Sequence, residues 1–223
     1  MSTIVVTGAF GALGRSVVEL LEARGHAVVA LDIGPAPADK DHSLTLGGVD
    51  LTQSNAVADA FKQIAADHGP IDGLINIAGG FMWSLVGDTD PDDWDRMYRM
   101  NLLSAALCCR EAVALLADGG AIVNIGAAAT RAPAAGMAPY AASKAAVMAL
   151  TESLAAELKP RARVNAILPT IIDTPANRTD MPDADFREWV SPADLAKVAA
   201  FLLSPESAAI TGEGIKVSLG ART

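Results

Sequence analysis

Short apolar runs rich in branched residues alternate with helical patterns along the whole chain, and that alternation constrains the fold more than any other feature. Ser2 to Val6, His26 to Leu31, Leu44 to Leu46, Ile71 to Ile77, Ala121 to Ile125, Val164 to Leu168 and Ile215 to Leu219 read as strands. Between them lie helices from Ala12 to Arg24, from a Thr52 cap to about His68, from Asp90-Pro91 to about Ala117, from Ala138 to Leu158 and from Pro192 to Leu203. Strands that are apolar on both faces and separated by helices form a parallel sheet covered on both sides. The fold class is therefore α/β, a doubly wound parallel sheet. No break in composition divides the 223 residues, so 1–223 is expected to be one domain.

Apolar residues make up 51% of the chain and charged ones 19%, which excludes a disordered polymer. The formal net charge of −9 repels phosphate backbones, so a nucleic-acid partner is not expected. No apolar run reaches the roughly 18 residues of a membrane helix, so no membrane partner is expected either. No charged and apolar leader pattern opens the sequence, which makes a cytoplasmic location the expectation. Cys108 and Cys109 are adjacent, and the three histidines (His26, His42, His68) are scattered, so no metal centre is expected.

After the first strand the chain reads T-G-x-x-G-x-x-G, with Gly8, Phe10, Gly11 and Gly14 in the turn that enters the first helix. Glycines there bring backbone close to a pyrophosphate seated on a helix N-terminus. Asp32 follows Gly14 by 18 residues and closes the second strand, where a carboxylate accepts from adenine-ribose hydroxyls and repels a 2′-phosphate. No arginine or lysine follows Asp32 until Lys40, so NAD(H) is favoured, with room left for NADP(H). Asp50 is a candidate for the adenine edge. Asn76, Ala78 and Gly79 end the fourth strand, on the side of a Rossmann-like sheet where ligands bind.

Tyr140 and Lys144 are spaced i, i+4 at the start of an alanine-rich helix, so both project from one face. A phenol titrates near 10, and a nearby ammonium is expected to bring it closer to working pH for proton transfer. Lys144 is also placed to bind nicotinamide-ribose hydroxyls.

These motifs resemble the short-chain dehydrogenase/reductase family. The likeness rests on the Thr7 to Gly14 turn, Asn76-Ile77-Ala78-Gly79, Asn101, Tyr140-Ala141-Ala142-Ser143-Lys144 and the stretch from Pro169 to Thr174, in the family's order. It implies a nicotinamide-dependent oxidoreductase with Tyr140 as acid/base, Lys144 supporting it and Asn101 holding a water-linked proton relay. Pro169 and Thr174 would contact the carboxamide side of the nicotinamide. It also implies a small-molecule substrate and a homodimer or homotetramer, for which the alanine-rich helix offers a close-packing face. The chain departs from the family at Pro169-Thr170, where Pro-Gly is usual.

A larger departure is Asn124-Ile125-Gly126-Ala127, because the family generally places a carbonyl-binding serine at position 127. Loss of a comparable oxyanion donor costs about 2.7–4 kcal/mol in other enzymes. Three explanations stay open: an impaired protein, a substitute such as Thr130 or water, or a substrate without an ordinary carbonyl. Gly126-Ala127, Gly136-Met137, the stretch from Leu168 to Trp189 and Gly220-Ala221-Arg222-Thr223 resemble the dihydropteridine reductase subgroup, which also lacks that serine. The resemblance implies hydride transfer from NADH to a quinonoid dihydropterin whose ring nitrogens accept charge and proton.

Phe81 and Trp83 follow the glycines as an aromatic platform would, and with Ala127 and Asn177 they are the candidate substrate residues. Phe186 and Trp189 lie in a second aromatic loop, and residues 173–191 read as a substrate-covering lid. Within it, Arg178 is a candidate for a polar substrate edge. Two alternatives compete with reduction of a small cyclic substrate. One is a general carbonyl or alcohol oxidoreductase with a replacement for the serine; the other is a non-catalytic nucleotide-binding sensor.

Overall fold

A computed structural model describes residues 2–37 and 44–219. Lys40, His42 and the Gly220-Ala221-Arg222-Thr223 stretch fall outside the described residues. Seven strands form one sheet: β1 (Thr3–Thr7), β2 (Ala27–Leu31), β3 (Leu44–Leu46), β4 (Ile71–Asn76), β5 (Leu116–Ile125), β6 (Arg163–Pro169) and β7 (Gly214–Val217). Their order is β3-β2-β1-β4-β5-β6-β7, and every pairing is parallel. The order reverses between β1 and β4, where Thr7 pairs with Asn76 at the carboxyl ends of both strands.

The helices are α1 (Ala12–Ala23), α2 (Ser54–His68), α3 (Pro91–Met97), α4 (Ser104–Leu115), α5 (Ala138–Leu158), α6 (Pro175–Asp180) and α7 (Pro192–Leu203). Successive strand residues face opposite layers. Val5, Leu74, Ile122 and Val164 pack with Phe61 and Ile64 of α2, Ala112 of α4 and Leu154 of α5. Ile4, Val6, Ile75, Val123 and Ile167 pack with Val17 and Leu21 of α1 and Leu195 and Ala199 of α7. Each aliphatic side chain fully buried this way contributes about 1.5–3 kcal/mol.

Three segments differ from the sequence expectation. The long helix expected to reach Ala117 is split by a π-helical segment at Tyr98–Leu103, and it ends at Leu115 because Leu116 begins β5. Its start is as expected: Asp90 and Asp93 form a reciprocal capping box, with Pro91 in the first turn. Thr52 does not cap α2, whose N-cap is Gln53; the Thr52 N–H and hydroxyl both donate to Asp50 Oδ1, at 2.9 and 2.8 Å. Residues 173–191, expected to be loop, contain α6, capped by Thr174, whose Oγ1 accepts from the Asn177 N–H at 3.2 Å.

Candidate active site

A cleft of about 840 Å³ opens at the carboxyl ends of β1 and β4. Gly8, Phe10, Gly11, Gly14, Asp32, Asp50, Ala78, Gly79 and Thr174 all line it, so most of the expected cofactor residues meet there. The glycine turn is dictated by packing at Gly14, where a Cβ would collide with the Gly8 carbonyl oxygen. Thr7 stitches the two strand ends together: its Oγ1 accepts from the N–H groups of Ile77 and Ala78 at 3.1 and 3.3 Å. The turn and the edge it faces thus form one rigid wall, with space kept free of side chains where a dinucleotide's pyrophosphate would lie.

Asp32 is fixed by two main-chain donors. Its Oδ2 accepts from the Phe10 N–H and its Oδ1 from the Gly34 N–H, both at 2.9 Å. Each oxygen keeps a second lone-pair direction for a ribose hydroxyl. The carboxyl of Asp50 is held below the usual range chiefly by the Thr52 backbone N–H, with the Thr52 hydroxyl adding to it. Arg15 also lines the cleft, its Nε donating to the Phe10 carbonyl oxygen at 2.7 Å. A scan forward from Asp32 passes it by, because it comes from α1.

Two expected cofactor residues lie elsewhere. Asn76 is buried beneath the cleft, and its Nδ2 donates to Asn124 Oδ1 at 2.8 Å and Cys109 Sγ at 3.3 Å. Asn124 Nδ2 donates in turn to Thr151 Oγ1 at 2.9 Å, so these side chains join β4, β5 and α5. Pro169 is buried at the end of β6 and does not line the cleft.

Lys144, Asn101 and Gly79 converge beside it. A Cβ on Gly79 would sit 2.5 Å from Asn101 Oδ1 and 3.3 Å from Lys144 Nζ. Lys144 is 5% exposed, and its Nζ donates to the Ile125 carbonyl oxygen at 2.8 Å. Burial pulls its pKa down to about 8. Asn101 lies in the π-helical segment, an insertion that re-aims side chains at functional sites. Its Oδ1 accepts from the Gly80 N–H at 3.0 Å, and its Nδ2 donates to Gly80 O at 3.1 Å and Ser143 Oγ at 3.0 Å. Ser143 donates onward to the Tyr140 carbonyl oxygen at 2.8 Å, a positioning role that the motif alone did not assign. The phenol of Tyr140 corrects one expectation: burial pushes its pKa up to about 12, and no lowering by the ammonium offsets that. Below that value Tyr140 carries a proton to give.

On the substrate side, Phe81 meets Tyr140 edge-on with ring centroids 4.9 Å apart. Ala127 is 5% exposed. The hydroxyl of Thr130, a possible substitute for the missing serine, donates to the Ala127 carbonyl oxygen at 2.9 Å. Asn177 turns its amide back to Ile172 O at 2.8 Å. Arg178 forms a two-point ion pair with Asp173 at 2.6 and 2.8 Å and sits 4.7 Å from the Phe186 ring centroid. Phe186 packs on Trp189, which is itself buried. The second aromatic loop therefore braces residues 173–189 internally. Among the described residues no three His, Cys, Asp or Glu side chains cluster to hold a metal ion, and no helix is long and apolar enough to cross a membrane.

Known proteins are similar to this chain over nearly its whole length. A family model described as Enoyl-(Acyl carrier protein) reductase matches residues 8–222. Carbonyl reductase family member 4 of Danio rerio is 33% identical, with 97% of this chain and 96% of that protein covered. The NAD-dependent glycerol dehydrogenase of Listeria innocua is 32% identical over 97% of this chain and 92% of its own length. The ligand-free structure of aldohexose dehydrogenase from Thermoplasma acidophilum superposes with a TM-score of 0.89 at 26% identity, covering 97% of this chain and 92% of that one. Likeness at this coverage, on a sheet that brings Lys144 and Asn101 to the edge of a glycine-walled cleft, makes the chain an oxidoreductase of the nicotinamide-binding short-chain dehydrogenase/reductase family.

Proposed function

We propose that this oxidoreductase uses NAD(H) to reduce a small conjugated ring whose nitrogen takes up the proton, with a quinonoid dihydropterin as the substrate class. The observation that carries this reading is the methyl group of Ala127 where a hydroxyl would receive a carbonyl oxygen, together with the commitment of Thr130 to the Ala127 carbonyl. A ring that spreads charge over its nitrogens needs no such donor. The Asp32 carboxylate supports NAD(H) over NADP(H), since it would repel a 2′-phosphate.

In this reading the glycine turn and the Ala78-Gly79 edge receive the pyrophosphate, and Asp32 accepts from ribose hydroxyls. A bound nicotinamide supplies the hydride. Tyr140 gives its phenolic proton to the substrate from a neutral state that burial favours. Lys144 holds the nicotinamide ribose, while Asn101 and Ser143 fix the start of α5 against Gly80. Residues 173–191 cover the substrate, and Phe81 forms one wall. Free Cys108 and Cys109 accord with a cytoplasmic setting. The exposed Ala142, Ala145 and Ala149 on α5 would let a dimer or tetramer pack closely, which sedimentation velocity would read.

The test is NADH oxidation with chemically generated quinonoid dihydropterin. Turnover above the non-enzymatic rate, falling about 10²–10⁴-fold in Tyr140→Phe, is the expected result. A second reading, reduction of ordinary carbonyls, draws on relatives named as carbonyl reductase and glycerol dehydrogenase. It predicts that Ala127→Ser raises kcat/KM on ketones. That gain, with no turnover of the quinonoid ring, would sink the first reading.

A further inference from the structure

Two loops far apart in sequence meet at the mouth of the site. One follows Gly79-Gly80 and carries Phe81 and Trp83; the other, residues 131–137, runs into α5 and Tyr140. The Trp83 indole N–H donates to the Ala135 carbonyl oxygen at 3.0 Å, and the Ser84 N–H donates to the Gly136 carbonyl oxygen at 2.9 Å. The indole lies against Gly136, whose φ of +78° suits glycine and where a Cβ would collide with the indole ring. Trp83 is nevertheless 61% exposed, so core burial does not account for its position. Two residues earlier, Phe81 is 57% exposed and its ring stands edge-on to Tyr140. Two bonds to the main chain of residues 135–136 thus anchor Trp83 and Ser84, two to three residues after Phe81.

We propose that Trp83 is a positioning residue. It latches the Phe81 loop to the loop that begins α5, holds the Phe81 ring against Tyr140, and so narrows the mouth of the site to flat rings. The preference for flat rings rests on the functional reading above; the latch does not. Removing the indole loosens residues 81–83, because one side-chain hydrogen bond and the contact with Gly136 are lost together, and the Ser84 N–H bond to the Gly136 carbonyl is left as the remaining tie between the loops. Phe81 then swings off the phenol, and the site widens.

The chain has two tyrosines, so in a Tyr98→Phe background Tyr140 is the only phenol left to modify. Acetylation of that phenol by N-acetylimidazole at neutral pH, followed by peptide mass mapping, reads how well Phe81 shields it. Trp83→Ala, which loses one hydrogen bond to main chain, should accelerate it about tenfold, and Phe81→Ala, which removes the shielding ring itself, should accelerate it at least as much. Trp83→Phe, which keeps a ring but lacks the N–H, should fall between. Gly136→Ala displaces the indole from the opposite side and should accelerate it as well. If Phe81→Ala accelerates acetylation while Trp83→Ala, Trp83→Phe and Gly136→Ala do not, the latch is wrong. Should Trp83→Ala fail to fold, Trp83→Phe and Gly136→Ala decide the matter. With quinonoid dihydropterin as probe, Trp83→Phe should raise KM more than it lowers kcat, and an unchanged KM counts against the latch. A parent protein inert toward that probe overturns the functional reading alone, and acetylation still decides the latch.

Discussion

Lys144 donates through Nζ to the carbonyl oxygen of Ile125 at 2.8 Å, which ties the first turns of α5 to the end of β5 two residues before Ala127. The ammonium is buried there, and its pKa falls from 10.5 to about 8. Between those values the unfolded chain binds more protons than the folded one, so stability rises with pH across that window. Tyr140 acts in the opposite sense only above 10, since its pKa is raised to about 12. From pH 8 to pH 10 the parent should therefore gain stability relative to Lys144→Met, in which other titrating groups are shared and cancel. Urea midpoints at the two pH values measure this, and a constant difference contradicts it.

Asp32 serves two purposes that one substitution separates. Asp32→Ala deprives the Phe10 and Gly34 N–H groups of their acceptor, at a cost of about 1.5–3 kcal/mol of stability. It also removes the charge that would repel a 2′-phosphate while leaving Arg15 in the cleft wall. The ratio of kcat/KM for NADPH over NADH should rise about tenfold or more. Adding Arg15→Ala should cancel that gain, and steady-state kinetics with both cofactors checks it.

Asn76 should matter for stability and little for cofactor. Asn76→Ala leaves the buried Asn124 Oδ1 with only the Cys109 thiol at 3.9 Å, and should cost about 1–3 kcal/mol in urea unfolding. The NADH dissociation constant should stay within about twofold, equivalent to less than 0.5 kcal/mol. A large loss of affinity at unchanged stability would return Asn76 to the binding site.

Gly14→Ala places a methyl group into the Gly8 carbonyl oxygen and the Ala9 backbone. Main chain cannot yield as a flexible side chain does, so the turn must open, at about 1–3 kcal/mol or more. NADH titration should show affinity reduced at least tenfold, with the circular dichroism of the helices preserved.

The sheet was legible because each strand is an apolar run bounded by turn residues, and that pattern survives without knowledge of neighbours. The π-helical segment around Asn101 was not, since the phase shift of about 100° that one extra residue brings does not stand out in a stretch such as Tyr98 to Leu107, where apolar residues occupy most positions. Residues 175–180 read as loop because Pro175, Asn177 and Thr179 are poor helix formers, yet the Thr174 cap and Pro175 in the first turn are enough for a short helix. Within the site, spacing put Tyr140 and Lys144 on one face but could not say how the Phe81 ring and burial would set the phenol. Asn76 was placed at the right strand end with its side chain on the wrong side, an ambiguity intrinsic to strand ends, where successive residues face opposite layers. Ser143 lay inside a quoted motif and Arg15 one residue beyond the glycine turn, and their roles depend on contacts that a linear reading does not contain.

The strand order carries a consequence for how the molecule is made. β4 sits at the centre of the sheet, yet it begins only at Ile71, and between its neighbours β1 and β5 it must wait for β5 at Leu116. A ribosome must therefore emit roughly half the polypeptide before the middle of the sheet can close, and until β5 arrives β4 presents an unpaired margin of backbone donors and acceptors. Chains stalled near residue 100 would be the species most prone to stick to one another during synthesis.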